Sequence, residues 1–222
     1  MKRYRHRHSL YAILFLVLLL AAAGCGKEKA ARRESLRQTA AGDAAVRDGR
    51  WDEAVRDYTS ALEADPENTD ALYGRSSAHL VTGKDFYLLA RAAAAEGETA
   101  RAREAAADAD REFGLAAQDA ASILKIKPDT AGACYVLGCV AVYQGDWPGA
   151  LDAFSETIRL APDMACAYQR RGEVYGYIND LENESADLKR AARLGYTPQE
   201  EDDAPDVETP RTAGAEAEES LY

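Results

Sequence analysis

Four cysteines, three histidines and a surplus of carboxylates are the side chains of this 222-residue chain with the means to do chemistry. His6 and His8 lie in a basic N-terminal stretch, which leaves His79 alone in the body of the chain. A general base needs a partner that orients it or takes its proton, and no such motif surrounds His79, so it reads as structural. Cys134 and Cys139 are five residues apart on one expected helix, about 140° apart around its axis, and cannot clasp one metal together. Cys166 belongs to the equivalent helix further on. Cys139 with Cys166 is the geometrically plausible disulfide pair, and the competing reading is that both are small buried fillers. The acidic clusters stand beyond residue 199 without the spacing of a calcium loop, and no glycine-rich phosphate loop precedes a helix. The sequence therefore predicts no catalytic residue, no metal site and no cofactor. It is not read as an enzyme.

The elements that carry these residues are expected to be helices. Aromatic residues make up only 8% of the chain and alanine is abundant, which favours helices packed through small residues over a β-sandwich. With 27 Lys and Arg against 38 Asp and Glu the net charge is −11, so a nucleic-acid backbone would repel the protein. Only one stretch is continuously apolar, which excludes a multispanning membrane protein.

The body repeats every 34 residues. Pro128 and Pro162 have that spacing, as do Gly138 and Gly172, Ala116 and Ala150, and Trp147 and Leu181. Pro66 precedes Pro128 by 62, so one unit carries an insertion of 28. The units fall at 35–68, 69–130, 131–164 and 165–198, each a pair of amphipathic stretches around a turn. The expected turns are Gly49-Arg50-Trp51, Gly83-Lys84-Asp85, Gly145-Asp146-Trp147 and Asn179-Asp180-Leu181. Glycine or asparagine ends one helix in a left-handed conformation, and Pro66, Pro128 and Pro162 stop the second helix of their units. The insertion, about 84–111, is rich in Ala, Arg and Glu with one break at Glu96-Gly97-Glu98-Thr99. It is expected to extend both helices of the second unit as a hairpin projecting from the stack.

This pattern resembles the tetratricopeptide repeat. The third unit matches best, with Leu137-Gly138, Ala150, Phe154 and Pro162, while the first has Gly42, Ala54, Tyr58, Ala61 and Pro66. The fourth keeps Tyr168, Gly172, Tyr175 and Leu188, and the second is weakest, with Arg75-Ser76 and Ala120 at signature positions. The resemblance covers about 34–196 and implies an all-α fold: a right-handed solenoid of about four helical hairpins. It also implies a concave groove lined by the first helix of each unit. In this register the lining is Tyr73, Ser77, Tyr135, Cys139, Val142, Tyr143, Arg170, Glu173 and Tyr177. Tyrosines give large contact areas at low entropic cost, so the groove is expected to hold a partner segment, although each tyrosine could equally cover a neighbouring helix. Family members that grip a chaperone's C-terminal carboxylate use Lys and Asn, where this chain has Thr39, Asp43 and Ser77, so that mode is not expected.

Residues 1–24 read as a secretory leader: Met1 to His8 are basic, and Leu10 to Ala23 form an apolar run of 14 residues, too short to span a bilayer. Ala22-Ala23-Gly24-Cys25 resembles a bacterial lipobox, which implies cleavage before Cys25 and a lipid on its sulfur. Loss of Lys2, Arg3, Arg5 and Arg7 takes the net charge to −15. Residues 25–33 are then the lipidated cysteine and a linker. The resemblance implies a periplasm-facing lipoprotein, with the outer membrane favoured because Gly26, not Asp, follows the cysteine. Residues 197–222 hold nine acids, one base and three prolines, and are expected to form a disordered tail. The functional expectation is a non-catalytic adaptor or scaffold for envelope proteins. A self-associating structural lipoprotein, or a pilot or assembly factor for an outer-membrane secretion, pilus or protein-assembly machine, is the alternative.

Overall fold

The computed structural model describes residues 26–197. The stretch read as a leader, Cys25 as the expected lipidation site, and residues 198–222 lie outside them. The described residues form eight helices and no strand: α1 (26–47), α2 (Trp51–Ala64), α3 (Thr69–Ala95), α4 (Thr99–Ile126), α5 (Ala131–Tyr143), α6 (Trp147–Leu160), α7 (Ala165–Tyr177) and α8 (Leu181–Arg193). None of these is long and apolar enough to cross a membrane. The helices end where local chemistry ends them. Gly145 and Asn179 take left-handed backbone at φ 71° and 62°, and the Asp146 and Asp180 carboxylates then accept the Gly149 and Asn183 amides to start α6 and α8. Pro66, Pro128 and Pro162 each stand two residues past the last helical one.

The chain divides into two bodies, 26–75 and 76–197. In the first, α1 and α2 pack with the opening of α3 around the buried Tyr58 ring. A Cβ on Gly42 would lie 2.7 Å from Tyr58 Cε1, so this helix pair approaches as closely as it does only because Gly42 has no side chain. The Tyr58 hydroxyl donates to Asp43 at 2.7 Å. Asn68 caps α3, its Oδ1 accepting the Asp70 and Ala71 amides, while its Nδ2 donates to Ser35 Oγ at 2.8 Å and Thr39 Oγ1 at 3.0 Å on α1. Ser35 and Thr39 are buried, so Asn68→Ala removes a cap and leaves two buried hydroxyls without that donor. It is expected to cost about 2 kcal/mol, read as a lower urea midpoint.

In the second body successive helices pack on one another, α4 on α5, α5 on α6, α6 on α7 and α7 on α8, with α5 also reaching α7. The pattern is a run of antiparallel helical hairpins. A Cβ on Gly138 would fall 2.6 Å from Phe154 Cε1, and Ala150 and Phe154 are fully buried, as the repeat signature requires. The weak second repeat compensates by exchanging sizes. Ser76 and Ala120 stand where the third repeat has Gly138 and Phe154, and both are fully buried, Ser76 Oγ donating to the Ala116 carbonyl at 3.2 Å.

The turn expected at Gly83-Lys84-Asp85 does not form. Helix α3 runs straight through it to Ala95, and the reversal comes at Gly97, φ 79°. Gly83 is instead a contact point, because a Cβ there would lie 2.6 Å from Phe113 Cε1. The 28 inserted residues thus lengthen both helices into one long hairpin, held by His79 Nδ1 against Glu112 Oε2 at 2.7 Å and, further out, by buried Ala93, Ala105 and Ala109. Alanines let two helices approach closely but bury little area each.

Candidate functional site

Most residues expected to line a groove fall in the second body, on α5 and α7. Helical spacing on α5 sets Tyr135, Cys139, Val142 and Tyr143 along one side, and each has a defined neighbour. Cys139 and Val142 are buried in a core cluster with Ala141, Ala150, Phe154 and Val174, and Tyr135 packs on that cluster with its ring 5.7 Å from Phe154. Tyr143 is half-buried, stacked on Phe113 at 4.6 Å and meeting Tyr87 of α3 edge-on at 5.4 Å. On α7, Tyr177 stacks on Trp147 at 4.9 Å. Arg170 donates to Glu173 at 3.0 Å, and Gln169 donates to the other oxygen of the same carboxylate at 2.9 Å. Ser77 is half-buried on α3. Tyr73 belongs to the first body, where it is 40% exposed.

The structure therefore brings Tyr135, Cys139, Val142, Tyr143, Arg170, Glu173 and Tyr177 onto two neighbouring helices. It also supplies three aromatic partners that the sequence reading did not single out for this face, Tyr87, Phe113 and Trp147. The signal for two of them was the same 34-residue spacing, since Phe113 and Trp147 are 34 apart and hold equivalent positions in their repeats. Tyr87 sits in the insertion and has no repeat counterpart.

Burial dominates the electrostatics of this face. Burial pushes the Cys139 thiol up to about 12, and burial also raises Cys134 and Cys166, so none is an activated thiolate at neutral pH. All three are free, Cys139 and Cys166 included. Burial likewise raises the Tyr135 and Tyr143 hydroxyls. Burial disfavours the Arg170 charge, but Glu173 and the Tyr135 hydroxyl outweigh that cost and hold the guanidinium protonated. Among the described residues no group of three metal-ligating side chains comes together.

A pH dependence follows. Cys139 binds its proton more tightly folded, at about 12, than at its ordinary value of 9.0, so from about pH 9 upward the unfolded chain holds fewer protons than the native one. Stability should be flat below that window and fall as pH rises through it. Thermal melts between pH 8 and 11 are expected to show the decline (about 1.4 kcal/mol per unit for a single such group), and Cys139→Ala to reduce it.

Residues 39–85 and 135–195 match the family model described as tetratricopeptide repeat. The fold is similar to the TPR domain of Arabidopsis OM64 (18% identity, TM-score 0.52, covering 66% of this chain and 98% of that one). It is also similar to TTC0263, a thermophilic TPR protein of Thermus thermophilus (20%, 0.55, 72% and 74%). A third similar structure is the first TPR of Spaghetti bound to an HSP90 peptide (18%, 0.51, 67% and 95%). Comparison with the curated proteins gives no match. The matched segments lie within the succession of helical hairpins, and the fold is similar to that of tetratricopeptide-repeat solenoids.

Proposed function

We propose that the chain is a non-catalytic interaction scaffold, held to the bacterial envelope by a lipid on Cys25 and facing the periplasm, that binds segments of envelope proteins on the α5–α7 face. The observation that carries this reading is the composition of that face: Tyr135, Tyr143 and Tyr177, backed by Phe113 and Trp147, beside the half-buried Arg170–Glu173 pair. Rigid rings held by neighbours give contact area without ordering entropy, and an acidic partner side chain competes with Glu173 for Arg170. A domain of similar fold, in Spaghetti, holds a peptide of sequence SRMEEVD, which supports segment binding as a capacity of the architecture. The basic stretch, short apolar run and Ala22-Ala23-Gly24-Cys25 support the anchor.

Two experiments test the two halves. Cys25→Ser is expected to abolish incorporation of labelled palmitate and to move the protein from the membrane fraction to the soluble one; retention on the membrane would refute the lipid anchor. A photo-crosslinking residue at Tyr143, on the proposed face, is expected in cells to trap one heterologous envelope protein, and Arg170→Ala to weaken that capture. The trapped species also decides whether a pilus, secretion or assembly machine is involved. Trapping of a second copy of the chain would favour the self-associating reading.

A further inference from the structure

Two aromatic stacks recur at the repeat spacing. Phe113 near the middle of α4 stacks on Tyr143 at the end of α5, and 34 residues on Trp147 at the start of α6 stacks on Tyr177 at the end of α7. Each first member opens the repeat-equivalent part of a second helix, and each tyrosine comes from the following repeat. The third first member is Leu181, at the start of α8. It is 57% exposed, with Ile178 beside it in sequence 43% exposed. The position that would supply its ring, 34 beyond Tyr177, is Arg211.

We infer that Leu221-Tyr222 of the same chain docks on this exposed end at Ile178 and Leu181, supplying the ring that Arg211, at the repeat-equivalent position, does not. Residues 198–222 contain one aromatic side chain, Tyr222, with Leu221 next to it. They leave the fold at the far end of α8, about 20 Å from Leu181 along the helix. A coil of that length has a root-mean-square span of about 25–30 Å. The segment therefore reaches Leu181 without strain, and tethering presents it at a millimolar order of effective concentration. Charge guides it. Lys189, Arg190 and Arg193 are exposed on the last turns of α8, where Glu200, Glu201, Asp202 and Asp203 pass first. A second copy continuing the repeat is the poorer occupant, because the first repeat carries the exposed Arg47 at the position of Tyr143 and Tyr177. A cation there would face Leu181 in place of a ring.

Hydrogen exchange of the full chain tests this. In the wild-type protein the amides of 178–185 should exchange several-fold more slowly than in Leu221→Ser/Tyr222→Ser, whose changes lie outside the helical core and leave it folded. High salt should narrow the difference, and dilution should leave it unchanged. Equal exchange in the two proteins would overturn the proposal. Protection that fades on dilution would also overturn it, and would assign the end face to a second copy.

Discussion

Phe154→Ala is expected to lower the unfolding free energy by about 3–5 kcal/mol, a large share of the roughly 5–15 kcal/mol typical of a domain. The ring is fully buried at the centre of the second body, in contact with Tyr135 and beneath Gly138. Its loss removes apolar burial and leaves a cavity that the helices on either side cannot fill without moving. Gly138→Ala attacks the same contact from the opposite side, since the new Cβ would meet the ring at 2.6 Å. Overpacking of this kind costs about 1–3 kcal/mol. The two changes are not independent. In the Phe154→Ala background the added methyl enters the space the ring vacated, so Gly138→Ala should cost far less there. Urea unfolding of the four proteins measures the coupling, and additive effects would mean that the glycine does not owe its presence to the ring.

Arg171→Ala should be nearly as severe, at about 3 kcal/mol. Its guanidinium holds Asp187 of α8 with two bonds, 2.7 and 3.0 Å, and donates to Ser155 of α6 at 3.0 Å, while the Tyr168 and Tyr175 rings flank it at 5.9 Å each. One side chain thereby ties three helices, and its removal leaves the Asp187 carboxylate buried without its partner. Arg171→Lys is expected to rescue little, because an ammonium cannot make the paired bonds of the planar fork. Replacing both partners, as Arg171→Met with Asp187→Leu, should recover much of the loss, since no charge is then stranded. If the single and double variants unfold at the same urea concentration, the pair contributes through packing alone.

Where sequence and structure part, the reason is physical. Gly138 and Gly83 look alike in sequence, and in both the absent Cβ makes room for a ring, yet the sequence reading places Gly83 in a turn because glycine also ends helices. What distinguishes them is the partner: Phe113 lies across the hairpin, separated from Gly83 by the 28-residue insertion, so the two do not stand at the offset that Gly138 and Phe154 have. The same insertion hid Tyr87, which reaches Tyr143 only because α3 continues past Gly83. Among the face residues, Tyr143 and Tyr177 were legible from their spacing, but Phe113 and Trp147 as their stacking partners were not. For Cys139 and Cys166 the sequence leaves disulfide and filler both open, and in the structure both thiols are free.

The 34-residue period, the prolines two past each helix end and the small residues at Gly42, Gly138 and Ala150 were enough to determine an all-helical repeat, because helix length, termination and closest approach are local properties of side-chain size and backbone conformation. Which tyrosine is covered and by what, how Arg171 finds Asp187 and Ser155, and where the long hairpin turns were decided only in three dimensions. Those contacts join residues from different helices, and their energies depend on distance and burial that no linear spacing encodes.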